Sequence, residues 1–145
     1  MILHVLVTVT MIGTALLAGL FLGFSVAVMP GLHRRPAAEA AGAMQAINRA
    51  IVNPVFTTLF VGTGLLALPT AVLAALADAW SVVAGAVLAV LGGHVITVAV
   101  NIPLNTALDR SPADGEAWER FERPWIRAHT VRTLLTVAAV VLLVV

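Results

Sequence analysis

Cysteine and lysine are both absent from this 145-residue chain. Without cysteine there is no disulfide and no thiolate chemistry. Without lysine there is no Schiff base and no lysine general base. Charge is scarce as well: charged residues make up 10% of the chain, against about 25% in a typical soluble domain. The net charge of +1 gives no basic footprint for nucleic acid. What the chain has instead is apolar residues, 61% of the total, with a mean hydropathy of +1.05.

Those residues come in blocks. Residues 5–30, 54–77 and 79–108 hold no formally charged side chain, and 133–145 form a shorter block at the end. A helix needs roughly 20 apolar residues to cross about 30 Å of hydrocarbon, so the first three blocks qualify alone. The last qualifies if its helix starts near Pro124. The sequence therefore predicts an all-α integral membrane protein, a single domain (1–145) built as a four-helix bundle with spans at about 3–29, 54–77, 80–102 and 124–145. Pro30 and Gly31 are expected to stop the first helix, Asn53 to cap the second ahead of Pro54, and Pro69 to kink it. The first span is not a cleaved signal peptide, because its amino end carries only His4 and its apolar run is too long.

The arginines set the expected topology. Arg34, Arg35, Arg49, Arg110, Arg120, Arg123 and Arg127 all fall in the connections 30–53 and 104–127. The positive-inside rule puts both connections in the cytoplasm and both termini outside the cell membrane, with Trp80 as an outer interfacial anchor. Small residues recur every four positions at Ala15, Gly19 and Gly23 and at Gly85, Ala89 and Gly93, ridges that suit close helix packing. The connection 36–52 is alanine-rich, with Met44, Ile47 and Ile51 on one face and Gln45 and Asn48 on another. It reads as a short amphipathic or re-entrant segment at the cytoplasmic mouth. Trp118, Phe121 and Trp125 recur at intervals of three and four. That stripe suits a membrane-surface anchor or the wall of a slot for an aromatic ligand.

Several polar residues sit where lipid would penalise them. His94, Asn101 and Asn105 share a face of the third span, and His129, Arg132 and Thr136 share one of the fourth. An intramembrane ionisable residue needs a partner or a polar cavity. Asn101, Asn105, His129 and Arg132, together with Gln45, Asn48 and Asn53, are expected to form a polar cluster near the cytoplasmic mouth, while His94 sits about halfway down its span. Two readings are open: interhelical hydrogen bonds worth roughly 0.6–2 kcal/mol each, or a ligand or catalytic pocket. Metal binding is not expected, since no two histidines stand at i and i+4 and no carboxylate matches the depth of His94 and His129.

Four segments carry a resemblance: GLFLGFSVAVMPGL (19–32), MQAINRAIVNPVF (44–56), NIPLNTAL (101–108) and WERFERPWIRAHTVRT (118–133). Together they resemble the anthrone oxygenase-like family of small four-helix membrane proteins. The resemblance implies oxidation of an anthrone-like or other lipophilic aromatic substrate by dioxygen, without a recognised organic cofactor. Gln45, Asn48, Asn101, Pro103, Asn105, Trp125 and Arg132 match the family pattern directly. His129 stands where the pattern usually has Asn, and Thr130 where it has His. In that chemistry His129 is the candidate base, with His94 in reserve. Arg132, Asn101 and Asn105 would stabilise the oxyanion, Trp118 and Trp125 would stack on the substrate, and Gln45, Asn48 and Asn53 would complete the pocket. The expected partners are membrane lipid and a lipophilic aromatic molecule, with the oligomeric state open. The competing classes are a binder or transporter of a small lipophilic molecule and a structural membrane subunit.

Overall fold

The computed structural model describes residues 1–145 and is all-helical. Four helices are long and apolar enough to cross a membrane: α1 (Ile2–His33), α3 (Pro54–Leu76), α4 (Trp80–Asp109) and α5 (Gly115–Val144). A shorter helix, α2 (Ala37–Ile51), lies between the first two. The chain is a multi-pass membrane protein. Exposed apolar side chains such as Ile12, Leu65, Val98 and Leu134 clothe every long helix, the surface that lipid covers.

The long helices form a ring in which α1 packs on α3 and α5, and α4 packs on the same two. Helix α2 closes one end, seated on α5, the last turns of α4 and the end of α1. Beneath it is the largest apolar cluster, including Met29, Ala40, Ala41, Met44, Leu108, Trp118, Phe121 and Trp125. Nearer the opposite end, Thr10 and Thr70 are fully buried and bond through their hydroxyls at 3.0 Å, tying α1 to α3.

The helices run further than the sequence pattern suggests. Pro30 and Gly31 do not stop α1, which continues to His33. Proline removes the N–H that the Val26 carbonyl would use. A π-helical turn at Phe24–Val28 absorbs the mismatch, closed by the Met29 N–H on the Phe24 carbonyl. The same device precedes Pro103, where the π turn Thr97–Asn101 carries α4 on to Asp109 rather than ending near 102. A further π stretch covers Ala89–Val95. Helix α5 starts at Gly115, not near Pro124, because the Asp114 side chain caps it by accepting the Ala117 N–H at 2.8 Å. The expected loop 104–127 therefore shrinks to the residues between α4 and α5. Asn53 caps α3 as anticipated, accepting the Phe56 N–H at 3.0 Å, and α3 runs unbroken through Pro69.

The small-residue ridges divide. Gly85 packs against the α5 backbone at Ala139, but Gly19 and Gly23 face open space. The first-span ridge thus makes no contact inside this bundle. Trp118, Phe121 and Trp125 point inward and are buried, which removes the surface-anchor reading of that stripe.

Candidate functional site

The costliest residue to bury organises the site. Arg132 is 7% exposed and takes part in none of the ion pairs. Its Nε and Nη2 donate to His129 Nδ1 at 3.0 and 2.8 Å, and its Nη1 donates to Thr97 Oγ1 at 2.9 Å. The guanidinium also lies over the Phe21 ring, with Cζ 4.2 Å from the centroid, and 5.4 Å from the Trp125 ring. Stacking on aromatic faces suits a planar, weakly hydrated cation.

His129 is held from both sides. Its Nε2 donates to the Phe21 carbonyl at 2.9 Å, while Nδ1 accepts from Arg132. That pair of contacts sets the tautomer with the proton on Nε2. The Phe21 carbonyl also takes the Ser25 hydroxyl, at the π turn where α1 widens. The imidazole stacks on Trp125 at 4.4 Å between centroids. The sequence reading expected a base here, and neither ring nitrogen is free.

The asparagines of α4 grip Trp125. Asn105 Oδ1 accepts the indole N–H at 2.8 Å, and Asn101 Nδ2 lies 3.4 Å from the Trp125 carbonyl. Asn101 is 1% exposed, and its Oδ1 has no partner. The two side chains fix the α5 tryptophan against α4, one by its ring and one by its backbone.

A cavity of about 240 Å³ opens beside this network. Arg132, Thr97, Trp125 and Asn105 line it, with Phe21, Phe24, Phe56 and Phe60 as aromatic walls and Asn48 and Asp109 also in the lining. Asn48 Nδ2 donates to Asp109 Oδ1 at 3.3 Å. Asp109 lies twelve residues beyond Thr97 on α4, roughly 18 Å along a helix axis, so its carboxylate does not neutralise Arg132.

The other anticipated residues lie elsewhere. His94 Nε2 donates to the Phe60 carbonyl at 2.8 Å and Nδ1 is 3.2 Å from the Ala89 carbonyl, so the ring ties α4 to α3. Gln45 donates to the carbonyls of Leu108 and Ser111 at 2.9 and 3.0 Å, latching α2 onto the end of α4. Asn53 is an exposed cap, and Trp118 belongs to the core under α2. No group of three His, Cys, Asp or Glu side chains converges in a way that could hold a metal ion.

Thr97, Phe21, Phe24 and Asp109 were not singled out from the sequence. Thr97 had a signal: it stands three residues after His94 and four before Asn101, on the same helical face. The phenylalanines had none, because an aromatic in an apolar span reads as packing.

No curated protein and no solved structure gives a match to this chain. The family model for anthrone oxygenase matches residues 44–142, a stretch that contains the second half of α2, all of α3 and α4 and most of α5, and with them Asn48, Thr97, Asn101, Asn105, Asp109, His129 and Arg132. On that match the chain belongs to the anthrone oxygenase family.

Proposed function

We propose that this protein oxidises an anthrone-like aromatic C–H acid with dioxygen inside the Arg132 cavity. The observation that carries the reading is a buried guanidinium, free of any carboxylate, in the wall of an aromatic-lined cavity. Such a cation stabilises the oxygen of an enolate more strongly than water does, because the donors are fixed in place and the surroundings are of low dielectric.

The steps balance with dioxygen as the oxidant. Loss of one methylene proton gives the enolate, whose oxygen faces Arg132. The anion gives an electron to dioxygen, and the resulting pair joins at carbon as a peroxide that regains the proton. Loss of the second C–H proton breaks the O–O bond, and the departing hydroxide takes that proton. One methylene and one dioxygen become one ketone and one water. Trp125, braced by Asn105, stacks on the flat substrate. We assign His129 the role of positioning Arg132 and give the proton to solvent water, since both imidazole nitrogens are engaged. The arginine-rich end, with α2, faces the cytoplasm by the positive-inside rule, and both termini face outward.

The test is turnover of anthrone by the purified protein in lipid nanodiscs. Oxygen uptake should match anthraquinone formation one to one, at a rate above empty nanodiscs. Arg132→Gln should lower kcat by about 10²–10³-fold, the scale of removing one oxyanion donor. A rate equal to that of empty discs would leave the cavity to the alternative, non-catalytic binding or carriage of a lipophilic molecule.

A further inference from the structure

The guanidinium of Arg132 carries five N–H donors. Three are used, one each from Nε, Nη1 and Nη2. Two remain, one on each terminal nitrogen, and the residue lines the cavity. An enolate or phenolate offers one anionic oxygen, which two adjacent N–H groups share only in a bent, bifurcated contact. Two parallel N–H groups on a planar fork match two oxygens on one carbon, the geometry of a carboxylate.

The rest of the cavity says what that carboxylate is attached to. Its walls are Phe21, Phe24, Phe56, Phe60 and the Trp125 ring, which suit a flat aromatic body better than a flexible chain. Its mouth is marked by the lining residues that are also exposed: Val52 and Ile102 on the apolar side, Thr106 and Asp109 on the polar side. A mouth that is apolar on one side and polar on the other admits an amphiphile.

We infer that the cavity is a receptor for lipophilic arene carboxylates, held by a two-point contact on the Nη1 and Nη2 groups of Arg132. This goes beyond the oxygenase reading, because such acids bind whether or not they turn over.

Binding is measured without oxygen, so its outcome is separate from that of the turnover assay. The probes are anthracene-9-carboxylate and its neutral carboxamide, titrated under argon into the protein in phosphatidylcholine nanodiscs, with empty discs subtracted. The acid should bind saturably and about tenfold or more tightly than the amide, the margin of a charge-assisted over a neutral contact. Arg132→Gln should erase that margin while leaving the weak amide binding in place. Oleate at equal concentration should fail to displace the acid. Equal affinity of acid and amide in the unmodified protein would overturn the inference, and this comparison needs no variant to fold. Acid binding unchanged in Arg132→Gln would overturn it too, as would displacement by oleate, which would replace the flat ligand with a fatty acid.

Discussion

Arg132 and His129 act as one unit, and the difference between a base and a brace can be read at that pair. A general base must take a proton, and its loss typically costs 10²–10⁴-fold in rate. A brace has only to accept from Arg132, which an asparagine side chain in the same place also does. His129→Asn should therefore keep kcat within about tenfold of the unmodified protein. His129→Leu should lower it by about 10²-fold, because Arg132 loses the acceptor for Nε and Nη2. Leucine should also cost about 1–3 kcal/mol of stability by leaving buried donors unpaired. Steady-state kinetics and thermal unfolding on the two variants check this. An inactive but folded His129→Asn would restore the histidine to the role of base. The asparagines belong to the same scale. Asn101 and Asn105 each make one hydrogen bond to Trp125, and so hold the ring that lines the cavity.

Between helices, the site depends on how closely α4 approaches α5. Gly92 sits where a Cβ would come 3.0 Å from the Arg132 carbonyl and 2.7 Å from Leu135 Cβ. Backbone does not yield as a side-chain tip does, so Gly92→Ala should push α5 away and cost about 1–3 kcal/mol. Anthrone turnover should fall with it, because the displaced residue is Arg132 itself. Gly19→Ala meets nothing within 4 Å and should be neutral or stabilising, up to about 1 kcal/mol from helix propensity. Unfolding of both variants in the same detergent gives the comparison, and equal losses would mean that α1 packs on something at Gly19. Gln45 makes a second element-level prediction. Its side chain bonds the Leu108 carbonyl in the last turn of α4 and the Ser111 carbonyl just beyond it, so Gln45→Leu should raise hydrogen exchange across Ala37–Ile51 and leave α3 unchanged. The sequence pattern located these elements because hydropathy and arginine placement act over whole segments. It misjudged their ends for a local reason. Pro30 reads as a stop, and Pro103 as a bend or an end, when only the lost N–H is counted, and the π turns that accommodate them leave no residue signature. Asp114 did leave one, as an acceptor ahead of Gly115 and Glu116, but the length needed to cross the membrane was already met by a start near Pro124. That the spans carry polar residues in need of partners was legible in the sequence. Their division into Arg132 support, Trp125 support and helix latches was not, because pairing such as that of Gln45 with Leu108 depends on how α2 folds back.

The whole molecule is polarised. One end carries α2, the cavity and the arginine-bearing connections, while the other has the short turn between α3 and α4 and both chain ends. This asymmetry makes orientation decide from which leaflet a ligand enters, since the mouth at Val52, Ile102 and Asp109 lies at the α2 end. With that end in the cytoplasm, as the positive-inside rule predicts, an amphiphile made inside the cell would reach the cavity without crossing the bilayer. The absence of cysteine makes this directly measurable, because any introduced thiol is the only one present. Ala77→Cys lies in the exposed turn between α3 and α4, and Ala113→Cys in the exposed loop between α4 and α5. Both sites are away from the cavity lining, so activity serves as a control for folding. In intact cells a membrane-impermeant maleimide should label Ala77→Cys and spare Ala113→Cys, and permeabilisation should expose the second. The reverse pattern would place the cavity mouth at the outer leaflet, and the substrate would then have to arrive from outside. Labelling of both sites in intact cells would mean that the chain inserts in two orientations, as expected if the arginines near α2 and α5 do not dominate insertion.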